Sequence, residues 1–299
     1  MPIHRRQFLR HATVSALAAA APSMAGAAAP AKRAIKIACK SGMITTGKTI
    51  MEKFEIAKQA GFDGVEPGSP LTDAELSEMQ AAIKATGVVV PGLVSPKGGR
   101  QMGSSDETLR REGVELFKQS LRQSKALGGT TVLMYPGVVD EKQRYHEVYE
   151  NLIRSTREVL PVAEETGIKI ALENVWNNLF LSPLDAVRFV DTINSPFCGW
   201  FFDIGNIARY GWPEHWVHAL GKRIFKLDIK DYDSKKHMAS GPRAGFDCEI
   251  GDGDINFAAV MKALDEVGYS GGWISAEVKG GDLARLTDIR ERIQRVLAS

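Results

Sequence analysis

The run that decides the fold lies just past the middle of the chain and reads Ile168-Lys169-Ile170-Ala171-Leu172-Glu173-Asn174. Its alternating apolar and β-branched residues predict a buried strand, and the strand ends abruptly on an acid and an amide. A buried strand does not tolerate a carboxylate at its end unless that carboxylate is paired or binds something. Three later apolar runs end in the same way, on Asp203, Asp228 and Glu277. We therefore predict one shared site at the carboxyl end of a parallel sheet.

Eight such strands are expected, and they alternate with helical segments along the whole chain. The predicted strands are residues 35–38, 63–66, 88–90, 130–134, 168–172, 199–202, 224–227 and 272–275. Thr72 and Glu75 predict a capping box at the start of one helix, whereas Pro161 is expected to kink or divide the long helix over 143–166. Regular β-α alternation predicts an α/β fold, a single (β/α)8 TIM barrel, with an open doubly wound sheet as the alternative.

The first 29 residues are typical of a signal sequence that is cleaved off. They are not expected to be part of the fold. Arg5 and Arg6 precede an apolar segment, and small residues then offer a cleavage site. This order resembles a twin-arginine export signal, which implies a periplasmic or secreted protein. The apolar segment is interrupted by Pro22 and Gly26, so we expect no stable membrane insertion after signal removal. The TIM barrel domain is then expected over residues 34–299.

Charge and cysteine content exclude several classes of protein. Residues 1–29 hold three of the 38 basic residues, which leaves 35 basic against 36 acidic residues in the mature chain. This balance offers no basic surface for nucleic acid, and no nucleic-acid partner is expected. The three cysteines are too scattered for a disulfide framework or a zinc motif.

The four strand-end acids predict a metal site. Ionised carboxylates crowded into one space raise one another's pKa until some of them protonate, unless a cation is present. All-oxygen ligation suits one divalent ion, Mn²⁺ or Mg²⁺, better than Zn²⁺. The alternative from the residues alone is that each acid caps a loop or pairs with a neighbouring base, such as Lys226, Lys230 or Arg243.

Several short motifs resemble those of the xylose-isomerase-like TIM barrels, the superfamily of sugar isomerases and epimerases. The motifs occupy residues 61–66, 172–174, 202–206, 227–231, 251–257 and 268–271, followed by Glu277. The most similar subgroups are the tagatose 3-epimerases and the hydroxypyruvate-isomerase-like proteins. The resemblance implies that Glu173 and Glu277 bind the metal and move a proton, and that Asp203 is a ligand. It also implies a histidine where this chain has Asp228, and a substrate-binding histidine where it has Asn206.

Other residues are candidates for binding the substrate. Besides Asn206 they are Trp176, Lys230, Arg243 and Glu66, all near predicted strand ends. For Trp176 the alternative is simple packing, and for the two basic residues it is a solvated loop. Three loop histidines are alternatives for the missing metal ligand, namely His215, His218 and His237.

These features favour a metal-dependent sugar isomerase or epimerase that works through an enediolate. The alternatives are a metal-dependent lyase or hydratase acting on oxidised (keto) glycosides, and a non-catalytic sugar-binding barrel. A DNA-repair endonuclease is disfavoured by the neutral charge. The expected partner is a small sugar, and a homo-oligomer is left open. Asp282 precedes the last helix at the place where a phosphate would bind, so a non-phosphorylated sugar is expected.

Overall fold

The computed structural model describes residues 33–299, and the export signal predicted over residues 1–29 lies outside the described residues. Eight strands alternate with helices in this range. The strands are β1 (Ala34–Lys40), β2 (Gly64–Glu66), β3 (Gly92–Ser95), β4 (Thr131–Met134), β5 (Lys169–Glu173), β6 (Cys198–Asp203), β7 (Ile224–Ile229) and β8 (Gly271–Ala276). The helices are α1 (Ile50–Gln59), α2 (Asp73–Thr86), α3 (Pro96–Met102), α4 (Glu107–Ala126), α5 (Tyr145–Thr166), α6 (Pro183–Ile193), α7 (Ile204–Ala208), α8 (Pro213–Leu220), α9 (Ser234–Ser240), α10 (Phe257–Glu266) and α11 (Leu283–Leu297). Among these described helices, none is long and apolar enough to cross a membrane.

The strands form one parallel sheet in the order β2-β1-β8-β7-β6-β5-β4-β3. The two outer strands approach each other through isolated bridges from Gly64 to Val89 and from Gly68 to Val94. Backbone hydrogen bonds such as Val65 N–H to Val89 O, at 2.9 Å, run across the same seam. The sheet therefore closes almost completely, and the predicted TIM barrel is confirmed.

The structure differs from two local predictions. The third strand was expected at residues 88–90, but β3 begins at Gly92 and Val89 forms only an isolated bridge. Pro91 explains the difference, because a proline has no N–H to donate and interrupts a ladder. The helix containing Pro161 is not divided, since α5 is one helix from Tyr145 to Thr166. Its buried residues on both sides of the proline, including Val159 and Ala163, hold it against the barrel.

Side-chain alternation determines what the barrel mouth contains. A small apolar cluster includes Leu133, Ala171 and Phe201, one each from β4, β5 and β6. Two residues further along these same strands come Tyr135, Glu173 and Asp203. Because successive side chains of a strand point to opposite faces, residues two apart share a face. The strand-end polar residues therefore lie directly above an apolar layer.

Candidate active site

Four carboxylates converge at the carboxyl ends of adjacent strands, as the sequence predicted. They are Glu173 from β5, Asp203 from β6, Asp228 from β7 and Glu277 just after β8, and they are called the carboxylate cluster below. One oxygen of each lies within 4.8 Å of the corresponding oxygens of the others. The first three residues are buried, and Glu277 is half-buried. The order of strands in the barrel brings together acids from four successive strands, the first and last of which are 104 residues apart in the chain.

Two lysines contact the carboxylate cluster directly. Lys230 Nζ lies 2.7 Å from Asp203 Oδ2 and also forms an ion pair with Glu277. Lys40 Nζ, from the end of β1, lies 2.8 Å from Asp228 Oδ1 and 2.8 Å from Glu66 Oε2. The cluster is therefore partly neutralised by two ammonium groups, one from the end of β1 and one that follows β7.

The ionisable groups around the carboxylate cluster carry a net negative charge that one divalent cation could balance. Glu66 and the carboxylate cluster supply five carboxylates, and Lys40, Lys226 and Lys230 supply three ammonium groups. Two negative charges remain, which one divalent ion would balance. Glu173 Oε2 and Asp228 Oδ2 are buried and accept no hydrogen bond from any residue in the described part of the chain. Buried carboxylate oxygens without a hydrogen-bond donor fit a hard metal ion.

The pKa values of the cluster diverge. Burial, reinforced by Glu277, Asp228 and Asp203, raises the pKa of Glu173 well above its usual value. Burial likewise raises the pKa of Asp228 well above its usual range and that of Asp203 to about 6, although Lys40 and Lys230 oppose these shifts. For Glu277 burial is outweighed by Lys230 and Lys40, which together lower its pKa. Neighbouring carboxyls whose environments separate their pKa values suit acid and base roles.

Asn206 aligns Glu173. Its side-chain Nδ2 donates to Glu173 Oε1 at 3.2 Å and to Asn174 O at 2.9 Å. Its backbone N–H donates to Asp203 Oδ1 at 2.7 Å, because Asp203 caps the short helix α7. Asn206 is thus fixed at both ends and presents an amide, rather than an ionisable group, to the carboxylate.

A cavity of about 480 Å³ opens above the cluster. Among its lining residues are Glu173, Glu277 and four of the predicted substrate-binding residues, which are Trp176, Asn206, Lys230 and Arg243. The Trp176 ring packs on Phe246 with centroids 4.9 Å apart, and its Nε1 donates to Asn206 O at 2.9 Å. Hence Trp176 is both a packed residue and a wall of the cavity.

Glu66 occupies a different place from the one expected. It does not line the cavity, and its side chain is 1% exposed. Its oxygens pair with Lys226 at 2.6 Å and Lys40 at 2.8 Å, and these lysines lower its pKa to about 2 against the effect of burial. Glu66 therefore balances buried charge and has no oxygen left for a sugar.

The loop histidines do not supply the missing ligand. His215 packs against Trp212, His218 lies 3.5 Å from Glu266, and His237 packs edge-on against Tyr232. The groups that the described residues bring within ligand distance are carboxylates alone. The position expected to hold a histidine is thus filled by Asp228 itself.

Sequence reasoning missed several residues of the site. Tyr135 follows β4 and donates its hydroxyl to Glu277 Oε1 at 3.4 Å, and Arg100 and Lys279 line the cavity. Lys40 was missed although it ends β1 as the acids end their strands. Its position at a strand end was the available signal, because a base at that end can reach the same site as the acids.

Fold and site together define a TIM barrel with an acidic site at its carboxyl-terminal mouth. A family model described as "Xylose isomerase-like TIM barrel" matches residues 54–298, and the chain belongs to this family.

Two relatives illustrate the range of sequence similarity. The chain is 30% identical over 177 residues to an uncharacterized protein, MJ1311, of Methanocaldococcus jannaschii, and this match covers 56% of the chain and 57% of the relative. The match thus spans a little over half the length of that protein. The chain is also 22% identical over 263 residues to L-ribulose-5-phosphate 3-epimerase UlaE of Escherichia coli, covering 82% of the chain and 90% of the relative.

Solved structures with the same fold are similar over most of their length. A D-tagatose 3-epimerase-like protein superposes with a TM-score of 0.74 at 23% identity, covering 88% of this chain and 97% of the other. The 3-keto-D-glucoside 4-epimerase YcjR of E. coli gives 0.74 at 19% identity, covering 89% and 100%. The IolI protein, solved with a bound zinc atom, gives 0.73 at 21% identity, covering 88% and 98%. These likenesses establish the fold.

Proposed function

We propose that this protein is a divalent-metal-dependent sugar epimerase or isomerase that moves a proton beside the carbonyl of a non-phosphorylated sugar. The observation that carries the proposal is that Glu173 and Glu277 line one cavity while Asp203 and Asp228 lie within ligand distance of both. The epimerases among its relatives and structural neighbours support a reaction of this type and do not favour elimination.

The carboxylate cluster would hold the metal through oxygen atoms alone. That donor set suits Mn²⁺ or Mg²⁺, and Glu173 Oε2 and Asp228 Oδ2 are the oxygens left without a hydrogen-bond donor among the described residues. When bound, the ion would polarise the substrate carbonyl and stabilise negative charge on its oxygen.

Glu277 and Glu173 are suited to transfer the proton in opposite directions. Lys230 and Tyr135 hold Glu277, and Lys230 with Lys40 favours its ionised form, which is the form that removes a proton. Burial favours the protonated form of Glu173, which is the form that returns one. In the barrel β5 and β8 are separated by β6 and β7, so the two carboxyls reach the cavity from different sides. In the reverse reaction the two residues exchange roles.

The cavity wall is suited to a polyhydroxylated substrate. Its volume of about 480 Å³ lies in the range of small-ligand pockets, ~300–1,000 Å³. Trp176 and Phe246 offer apolar surface to a sugar, and Arg100, Arg243 and Lys279 offer donors to its oxygens. A free sugar is proposed because Asp282 accepts from Arg285 N–H and so occupies the amino-terminal end of α11. A carboxylate at that end of the helix dipole disfavours a phosphate.

Deuterium exchange tests this proposal. The purified full chain is incubated in D₂O with a panel of ketoses and keto-glycosides, with added Mn²⁺ in one arm and a chelator in the other. The expected result is Mn²⁺-dependent exchange of one carbon-bound hydrogen, with an epimer or isomer as product and an intact carbon skeleton. Release of an aglycone would instead identify a lyase. Tight sugar binding without exchange would identify a non-catalytic barrel.

A further inference from the structure

A row of four alternating charges runs from the interior of the barrel to the proposed metal. Lys226 Nζ lies 2.6 Å from Glu66 Oε1, Glu66 Oε2 lies 2.8 Å from Lys40 Nζ, and Lys40 Nζ lies 2.8 Å from Asp228 Oδ1. The side chains of Lys226 and Glu66 are each 1% exposed, Asp228 is fully buried, and Lys40 is 14% exposed. A buried charge is tolerated only when it is paired, so each member of the row depends on the next.

The two oxygens of Asp228 have different surroundings. Oδ1 faces the Lys40 ammonium group at 2.8 Å, whereas Oδ2 is buried and accepts no hydrogen bond from the described residues. Asp228 nevertheless has an oxygen within 4.8 Å of those of Glu173, Asp203 and Glu277. Lys40 therefore fixes one oxygen of the carboxylate and leaves the other available to the proposed ion.

We propose that Lys40 is a positioning residue that makes Asp228 a metal ligand of no net charge. This proposal rests on the metal site of the proposed function. A fourth carboxylate would add a full negative charge to the site, and the ammonium group in contact with it cancels that charge. Glu66 and Lys226 cancel each other and hold Lys40 in place. The Asp228–Lys40 pair thus acts as a neutral ligand, as a histidine would, but binds through an oxygen atom. Because the charge of Asp228 is cancelled, the site binds divalent cations less tightly than four uncompensated carboxylates would.

A purely structural role and a charge-compensating role for Lys40 predict opposite changes in metal affinity when Lys40 is removed. If Lys40 only filled space and anchored Glu66, its loss would loosen the site and weaken metal binding. If it cancels the charge of Asp228, its loss leaves that charge uncompensated beside the ion and strengthens binding wherever Asp228 is ionised, so the Kd values are compared at a pH high enough that they no longer change with pH. The sign of the change in metal affinity therefore separates the two roles.

The test measures the Kd for Mn²⁺ by counting free Mn²⁺ with electron paramagnetic resonance, using the full chain and no sugar. The variants are Lys40→Met, Asp228→His and the double variant. Removing one positive charge near the ion in Lys40→Met is expected to lower the Kd by at least ~10-fold. Asp228→His leaves the Lys40 charge uncompensated and is expected to raise the Kd by at least ~10-fold. The double variant restores the charge balance and is expected to lie within ~3-fold of the wild type.

Two further variants keep the result interpretable. Lys40→Arg retains the charge and is expected to bind Mn²⁺ within ~3-fold of the wild type. If Lys40→Met does not fold, Lys40→Gln replaces it, because it also removes the charge but keeps a polar amide beside Glu66 and Asp228, and its Kd is likewise expected to fall. A Kd for folded Lys40→Met, or for Lys40→Gln, equal to or above the wild-type value overturns the charge-compensating role. Absence of Mn²⁺ binding by the wild type overturns the metal site of the proposed function as well.

Discussion

The side-chain amide of Asn206 donates a hydrogen bond to Glu173 Oε1 across 3.2 Å, joining the first helical turn after β6 to the end of β5. The same amide donates to Asn174 O, and Trp176 Nε1 donates to the Asn206 carbonyl oxygen. One face of the cavity is therefore assembled around a neutral residue that orients the carboxyl of Glu173. The orientation of a proton-transfer group affects the rate of the chemical step more than the affinity for the substrate.

Replacement of Asn206 by alanine is expected to lower kcat by ~10- to 100-fold and to change KM by less than ~3-fold, because Glu173 stays in the cavity but loses its alignment. Steady-state kinetics on an accepted ketose measure both constants. Gln80→Ala is the control, since this exposed amide side chain of α2 donates to Ala126 O and does not line the cavity. A change confined to KM would contradict the positioning role and make Asn206 a substrate-binding residue.

Lys230 is expected to control the pH range of activity. It is the first of the residues that oppose burial and lower the pKa of Glu277, so Lys230→Met should raise that pKa. The base must be ionised to remove a proton, and with a higher pKa it stays protonated to a higher pH. The acidic limb of kcat/KM should therefore move to higher pH.

A pH profile of kcat/KM measures this shift, with Lys262→Met as the control because Lys262 is an exposed lysine of α10. An acidic limb that stays in place in Lys230→Met would show that Glu277 does not act as the base.

The location of the site was predictable because strand alternation is a local property. Each of Glu173, Asp203, Asp228 and Glu277 ends or follows an apolar run, and parallel strands bring such ends together. The predicted capping box of Thr72 and Glu75 was confirmed for the same reason, since caps depend on neighbouring residues.

The partners of the acids were not predictable from local patterns. The Glu66–Lys226 ion pair joins residues 160 positions apart, and nothing near Glu66 in the sequence indicates that it is fully paired. Lys40 and Tyr135 contribute a base and a phenol to a site that was sought through its acids. The apolar run over 88–90 predicts a strand there, but β3 begins only after Pro91, which interrupts the hydrogen-bond ladder.

Loss of the Glu66 charge is expected to destabilise the fold. In Glu66→Gln the ammonium group of Lys226 stays buried without a carboxylate, which costs about 3–5 kcal/mol of unfolding free energy. Urea denaturation at pH 7 measures this loss of unfolding free energy. Glu66→Gln with Lys226→Met removes both charges and should recover at least half of the loss. Equal stability of Glu66→Gln and wild type would show that the pair is not held in the folded protein.

The same pair has a pH signature. The folded-state pKa of Glu66 is lowered from 4.5 to about 2, so the folded state favours its ionised form. The stability that it contributes is present above pH 4.5 and is lost as the pH falls toward 2. Glu66→Gln should lack this contribution to acid sensitivity.

Free sugars are expected to be better substrates than their phosphorylated counterparts. Asp282 caps α11, so a phosphate would meet repulsion at the amino-terminal end of that helix. The comparison is kcat/KM for matched pairs of free and 5- or 6-phosphorylated ketoses. A preference for the phosphorylated member would contradict this assignment and bring the protein closer to the reaction named for UlaE. Asp282→Asn is expected to reduce the difference in kcat/KM between free and phosphorylated ketoses, since asparagine still caps the helix but carries no charge.

The most direct test of the two-glutamate account measures deuterium exchange from D₂O separately for each of the two epimers of an accepted sugar. Wild-type protein should exchange the same carbon-bound hydrogen in both. Glu277→Gln and Glu173→Gln should each lose at least ~10²-fold of the exchange rate in one epimer, and not in the same one, because each glutamate removes the proton from one side. The Mn²⁺ content of each variant is measured alongside as the control for loss of the ion. Undiminished exchange in both variants, or equal loss in both epimers with the ion still bound, would contradict the account.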